Sequence, residues 1–494
     1  MVNLKGVFSS LDVLSFRQTR SGRPYSGWAQ IDVPHFSIVD AVAAAAAVQE
    51  QDEDLSQADA APVPLAAPLH FSATAATPAT PATPPVLENL QVPSATPATP
   101  ATAATAATAT SRDKRRYRER RRQQRAIASA SKDAIEDNRP AHIRRHLAGG
   151  LKASIQAKFH LMKTRIATTG WIGVPKNSLA QGVHCLGDFV GPTPRYEGFK
   201  VVKAHPSGCA RPIVDMDSKI CGVQGGVPQN DPRFMADVHD PAVAALEQAR
   251  GQMSAEAGSE YHRRGNFHQL TGGQTHGNGR IEPSTVANGV VNAAIFLALI
   301  SNVAFIRLAG FATGLFANWA PDVFDFYVDY MSDFYHQYPH LHRPFLNSIW
   351  SACTFNLGPR TYTLGHRDFA NLAFGWCAIT ALGNFDYTKG GHLVLWECKL
   401  VLEFPPGSTI LIPSAALFHS NTLISAGESR YSFTQYTAGG LFRWVERGFK
   451  SEMDYFETLT AAEVEEERLL GLERAMAGAG LFSSISDLEA AIVA

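Results

Sequence analysis

Residues 355–444 decide how this chain is read. Within them stand Phe355-Asn-Leu-Gly-Pro359, His366-Arg-Asp-Phe-Ala-Asn371, Gly390-Gly-His-Leu-Val-Leu-Trp396, Phe404-Pro-Pro-Gly-Ser-Thr-Ile-Leu-Ile-Pro413, His419-Ser-Asn421 and Arg430-Tyr-Ser-Phe-Thr-Gln-Tyr436. Short apolar runs are separated by turn signals at Gly383-Asn384, Lys389-Gly-Gly391 and Pro405-Pro-Gly407. Such punctuation predicts strands over 351–356, 362–368, 373–380, 392–396, 400–404, 408–412 and 430–437, an all-β sandwich or barrel core. His366 and Asp368 are one residue apart, and on a strand i and i+2 share a face, so both can reach one metal. His419 follows a turn and an apolar strand. Two imidazoles and one carboxylate form a facial triad that suits iron(II) and leaves the opposite coordination face open for a co-substrate and oxygen.

Other residues give this triad its company. A lone H-x-D occurs by chance in many proteins of this size, but Gly-Gly, Pro-Gly and Arg-x-Ser elements in this order are far more specific. The planar fork of Arg430 can make two charge-assisted hydrogen bonds to a carboxylate, as the distal end of 2-oxoglutarate requires. Ser432, two residues on, faces the same way and can donate a third.

Working outward, the apolar run 290–306 is interrupted by Asn292, Ser301 and Asn302 and is short for a membrane span, so a buried helix is expected. That helix is placed at 284–305, with Ser284 or Thr285 as its cap. A second helix is predicted over 321–338, its core face carrying Phe324, Tyr327, Tyr330 and Phe334. Two helices ahead of a run of strands suit helices backing one sheet. His336, His340 and His342 lie in the exit of that helix without an acidic or cysteine partner and are read as non-ligating. Residues 200–235 and the glycine-rich stretch 263–280 read as loops. The latter is either a backbone-close loop at the substrate or an ordinary connection. After residue 450 the chain turns acidic and helical, a peripheral helix with a loose tail.

The 494 residues carry a formal net charge of −1, and their 45% hydrophobic content is enough for a sizeable core. The charge is unevenly spread. Residues 56–111 are a low-complexity Thr-Pro-Ala spacer with little surface to bury, expected to be disordered. The dense cationic run at 111–125 follows, continued weakly by Arg139, His142, Arg144, Arg145 and His146. It reads as a nuclear-import or phosphate-contact segment, or else as a solvated charged helix. Residues 1–30 lack the pattern of a secretory signal. No two of the six cysteines form C-x-x-C, which argues against a structural zinc or redox motif and suits a reducing compartment. The expected organisation is a disordered region over 1–150, a loop-rich part over 151–260, an oxygenase domain over 261–450 and an acidic helical tail over 451–494.

With the residues quoted above, and with H-x-D extended to H-x-D-x-x-N by Asn371, the stretch 260–450 resembles the Tet/J-binding-protein family of iron(II) and 2-oxoglutarate dioxygenases, most closely its fungal branch. The resemblance implies an α+β fold with a double-stranded β-helix (jelly-roll, cupin-like) core backed by helices. It implies that His366, Asp368 and His419 bind iron(II), that Arg430 and Ser432 bind 2-oxoglutarate with His392 near the co-substrate, and that Asn371 hydrogen-bonds the target base. It also implies a reaction, oxidation of the methyl group of 5-methylcytosine in DNA, with N6-methyladenine a second substrate. The methyl of a paired base lies inside the duplex, so the nucleotide should be flipped out. Phe369, Phe374 and Trp376 are then either stacking surfaces or sandwich core. The cysteine-rich region of animal members is absent, and residues 1–150 fall outside the resemblance.

Two other readings compete. Prolyl-type protein hydroxylases share the H-x-D, Gly-Gly-x-Leu and distal His pattern, but many use lysine where Arg430 stands and lack the Asn371 match. A catalytically inactive, mobile-element-associated DNA-binding protein would not be expected to keep an intact triad. Nuclear localisation follows from the DNA reading, and no membrane partner is expected.

Overall fold

A computed structural model describes residues 139–493 except 176–181, 230, 256–257 and 278. The low-complexity spacer and the cationic run at 111–125 lie outside the described residues. The described residues open with α1 (Ala141–Lys152), then β1 (Ile155–Gln156), β2 (Lys200–Val202), β3 (Arg211–Val214) and β4 (Ile220–Gly226). After α2 (Asp240–Gln252) come β5 (Tyr261–His262), β6 (Gly265–Asn266), β7 (Gln269–Thr275) and β8 (Ser284–Thr285). Three helices follow, α3 (Val290–Ile300), α4 (Val303–Trp319) and α5 (Pro321–Gln337). The strands β9 (Ala352–Asn356), β10 (Cys377–Asn384), β11 (Leu393–Leu395), β12 (Leu400–Leu402), β13 (Thr409–Ile412), β14 (His419–Asn421) and β15 (Ser429–Tyr436) lead to α6 (Gly439–Glu446), α7 (Glu452–Glu457), α8 (Ala461–Gly480) and α9 (Ile485–Val493).

This is a mixed α+β fold with two principal sheets. One has nine strands in the order β1-β3-β4-β13-β10-β15-β9-β7-β8, and the other four in the order β14-β11-β12-β2. β10 sits at the centre of the larger sheet, antiparallel to β13 (Ala378 opposite Leu411) and to β15 (Ala381 opposite Ser432). Flanked on both sides and covered on both faces, it is buried along nearly its whole length, which is why it reads as a near-continuous apolar run instead of alternating.

The helices back the larger sheet. Pro321 stands at the start of α5, where its fixed φ suits the first turn and its missing N–H costs nothing. Phe324, Tyr327, Tyr330 and Phe334 recur at helical spacing and are all buried. Each contributes roughly 1.5–3 kcal/mol by leaving water. Phe316 of α4 stacks on Trp350 and Trp376 at ring-centroid distances of 5.4 and 5.7 Å. α3 reaches the sheet where β7 offers no side chain: a Cβ on Gly272 would lie 2.2 Å from the ring of Phe296.

Several expectations are corrected. The apolar run does not form one helix. It breaks at Ser301-Asn302 into α3 and α4, bent by 66°, because Asn302 accepts a 2.8 Å hydrogen bond from Ala304 N and caps a new helix. Ser284 and Thr285 form β8 instead of a cap. No single helix among the described residues is long and apolar enough to cross a membrane. The stretches 200–235 and 263–280 contain β2, β3, β4 and β7, which join the two principal sheets, and β6, which pairs with β5 in a two-stranded ribbon. β2 pairs in parallel with β12, and β4 pairs with β13, so strands of 151–260 join strands of 261–450 directly. Residues 362–368 form no strand, and the segment expected at 373–380 begins only at Cys377. The tail is not loose: Phe482 and Leu488 are fully buried in the main core, and Lys219 Nζ donates to Phe482 O at 2.8 Å.

Candidate metal centre

A cleft lies between the two sheets. Asn356, Ile379, Ser432 and Thr434 line it from the larger sheet, and Leu393, His419 and Asn421 from the smaller. At one side stand His366, Asp368 and His419, whose ligand atoms all lie within 4.8 Å of one another. Among the described residues they are the one grouping of three side chains able to hold a metal ion. His336, His340 and His342 do not form such a group.

Backbone pairing brings the trio together. His419 lies on β14. His366 and Asp368 lie on an extended segment outside the strands, held by a two-way bridge: His366 N donates to His419 O at 3.0 Å and His419 N to His366 O at 2.9 Å. Asp368 N donates to Ser414 O at 3.0 Å. The i, i+2 geometry therefore holds without the strand it was derived from.

Each imidazole presents the nitrogen a metal needs. Nδ1 of His366 lies 2.8 Å from Leu364 O, and Nδ1 of His419 lies 2.9 Å from Leu417 O. A carbonyl only accepts, so both protons sit on Nδ1 and both Nε2 lone pairs are free. These Nε2 atoms lie 3.7 and 3.9 Å from the Asp368 carboxylate oxygens. Burial, then the neighbouring His419, hold His366 well below the ordinary imidazole range against the pull of Asp368. Burial likewise lowers His419. For Asp368, burial pushes the carboxyl up, but Arg264, the two histidines and Arg263 outweigh it and keep it far below the usual carboxylate range. Two neutral nitrogen donors and one ionised carboxylate make a donor set that fits a divalent first-row cation.

Arg430 is fully buried. Its Nη1 donates to Thr361 O at 3.0 Å, while Nε and Nη2 have no hydrogen-bond partner. Burial alone pushes this guanidinium down to about 10. An unpaired buried cation is costly, and a carboxylate would satisfy the two idle donors. Gly391 fits closely beside it: its φ is 73°, and a Cβ there would meet Phe385 at 2.7 Å and Arg430 Cδ at 3.2 Å. His392 is also fully buried, with Nδ1 2.9 Å from Thr422 Oγ1 and Nε2 unpartnered. Burial and then Arg430 lower it to about 4. Neither Arg430 nor His392 lines the cleft itself, whereas Ser432 and Asn371 do. Asn371 Nδ2 donates to Ser414 Oγ at 3.1 Å. Of the three aromatic candidates, Phe374 and Trp376 are core, and Phe369 is half-buried under the Arg263 guanidinium, 5.4 Å from its ring.

Several site residues were missed from the sequence. Arg264 donates to Asp368 Oδ1 at 3.0 Å, and no local spacing announces a partner that far away in the chain. Asn356 Nδ2 donates to Ser432 Oγ at 2.8 Å, and Thr363 Oγ1 to Asn421 Oδ1 at 2.8 Å. Asn421 was legible, since it stands two residues beyond His419 and must share its face.

No known family profile matches this sequence, and no curated protein matches it. Among solved structures the chain is similar to NgTET1 in complex with 5mC DNA, with 13% identity over 49% of this chain and 84% of that one and a TM-score of 0.35. A likeness that distant carries no argument, and the site rests on its own geometry.

Proposed function

We propose that this chain is an iron(II)- and 2-oxoglutarate-dependent dioxygenase of the Tet/J-binding-protein family, of its fungal branch, that oxidises the methyl group of 5-methylcytosine in DNA to hydroxymethyl and further products. N6-methyladenine is the second candidate base. The two sheets are read as its double-stranded β-helix. One observation carries the proposal: two neutral imidazoles and a carboxylate converge beside a cleft, and the strand lining that cleft also bears a buried arginine with two idle donors.

His366, Asp368 and His419 would hold the metal on one face. Iron(II) there supplies oxygen activation coupled to decarboxylation of 2-oxoglutarate, giving succinate, carbon dioxide and a hydroxylated methyl group. The protein's own residues do the rest. Arg430 pairs its free Nε and Nη2 with the distal carboxylate of 2-oxoglutarate, and Ser432 adds a hydroxyl from the same strand. His392, kept neutral, stands beside that carboxylate without adding charge. Ile379 and Leu393 give the cleft apolar walls. Asn371, also in the lining, offers a carboxamide to the edge of a flipped base. We read the cationic run at 111–125 as a phosphate-contact or nuclear-import segment and propose a nuclear location on that reading.

The test is incubation with iron(II), 2-oxoglutarate and oligonucleotides carrying 5-methylcytosine or N6-methyladenine, with a proline-containing peptide in parallel, followed by mass spectrometry. The expected product is 5-hydroxymethylcytosine. An oxidised peptide with unchanged bases would replace the reading with that of a protein hydroxylase.

A further inference from the structure

Arg367 stands between His366 and Asp368, and its side chain points away from the metal site into a separate network. Its Nε donates to Ala416 O at 2.9 Å, and its Nη2 forms an ion pair with Oε1 of Glu397. The other carboxylate oxygen of Glu397 accepts from Phe418 N at 2.9 Å. Both side chains are largely buried, 11% and 18% exposed. Glu397 lies just past β11 and its neighbour Trp396, whose N donates to Phe418 O at 3.1 Å and whose Nε1 donates to Ser420 Oγ at 3.0 Å. Phe418 and Ser420 flank His419 in the chain.

From this geometry we infer that the Arg367–Glu397 ion pair is a positioning element that fixes the separation of the two ligand-bearing segments. His366 and Asp368 sit on one segment and His419 on another, and the residue adjacent to each is tied to the same carboxylate. Backbone bonds already set the register of those segments: the His366–His419 bridge, Asp368 N on Ser414 O and Asn421 N on Thr363 O at 2.9 Å. The ion pair adds the side-chain tie beside the bridge, on the face away from the ligand atoms, and so fixes how the two ligand-bearing backbones lean toward each other. Groups behind a ligand shell that set its orientation typically carry 10–100-fold in metal affinity. The inference rests on the metal-site reading above.

Cobalt(II), which gives a visible absorption spectrum sensitive to ligand geometry, is the probe for a titration of the full chain. The variants are Arg367→Met, Glu397→Gln and the two combined. The carboxamide introduced by Glu397→Gln keeps an oxygen that can accept from Phe418 N. The double variant buries no unpaired charge, so its fold is secured and checked by thermal melting of the metal-free protein. All three variants are expected to weaken cobalt(II) binding by about tenfold, with the double no worse than either single, because each cuts the same link. Their cobalt spectra are expected to share one altered band shape. The inference is overturned if folded variants bind within twofold of wild type, if the two losses multiply in the double, or if restoring stability in the double also restores affinity. His366→Ala separates the two readings: wild type that binds no cobalt(II) removes the metal site and this inference together. Wild type that binds through His366, beside unaffected variants, removes this inference alone.

Discussion

Arg264 reaches across 104 positions of sequence to hold Oδ1 of Asp368 at 3.0 Å. The carboxylate is thereby ionised and paired in the metal-free protein, which is how an anion survives beside two neutral imidazoles. Arg264→Met removes that cation and leaves a partly buried carboxylate less compensated; with the two side chains 29% and 15% exposed, the cost falls below the about 3–5 kcal/mol of a fully buried pair. A bound divalent ion would take over the arginine's role. We therefore expect the melting temperature of the metal-free variant to fall, and cobalt(II) to raise it by more than it raises wild type. Equal cobalt-induced shifts in the two proteins, measured by differential scanning fluorimetry, would show that Arg264 does not share its carboxylate with the ion.

Arg430 differs from Arg264 in kind, because nothing in the fold uses its Nε and Nη2. Replacing an uncompensated buried cation by an apolar side chain of similar length is neutral or stabilising. Arg430→Met should leave the urea midpoint unchanged or higher, by on the order of 1 kcal/mol. The same variant should lose 2-oxoglutarate binding in a calorimetric titration. A strongly destabilised variant would assign Arg430 to structure instead.

Acid should weaken the fold through two histidines away from the triad. His276 packs edge-on to Trp444, and burial, then Arg443, push it from 6.5 to about 4. His392 is held at about 4 by burial and Arg430. Each therefore binds its proton more readily unfolded than folded. Their contribution is complete above about pH 6.5 and is lost as pH falls toward about 4. His276→Phe keeps a ring against Trp444 and removes one titration. Its melting temperature should fall less steeply between about pH 6.5 and 4.5 than that of wild type.

Phe482 is fully buried with Leu488. Phe482→Ala should cost about 3–5 kcal/mol in urea unfolding. If the tail only rested on the surface, the cost would stay below about 1 kcal/mol.

Much of the site could be read from the sequence because its parts are locally encoded. His366 and Asp368 share a face through a two-residue spacing, and Gly391 and Gly407 mark turns that need positive φ. The positions of β9, β11, β12, β13 and β15 followed from apolar runs between such turns. What stayed hidden is long-range. β4 contains Gly222, Gly225 and Gly226, and β7 contains Gly272 and Gly273, so both looked like loops. Two of these glycines are demanded by helices lying on the sheet, a Cβ on Gly225 meeting Leu315 at 2.3 Å and one on Gly272 meeting Phe296 at 2.2 Å, while Gly222, Gly226 and Gly273 lie against neighbouring backbone. The Arg264–Asp368 and Arg367–Glu397 pairs span 104 and 30 positions, beyond any local period. The break between α3 and α4 was signalled by Ser301-Asn302 but outweighed by the apolar run around it.

Lys219 and Phe482 meet across 263 positions, and Ile220 N donates to Ser483 O beside them. A ribosome delivers β3 and β4 long before it delivers their last partner. During that interval the hairpin's neighbours in the core are missing, and its apolar side chains are open to other chains. Closure over so long a loop is slow, since the intervening chain must be ordered before the contact rewards it. Production of this protein should therefore be limited less by its final stability than by what shields residues 211–226 until residue 488 has emerged.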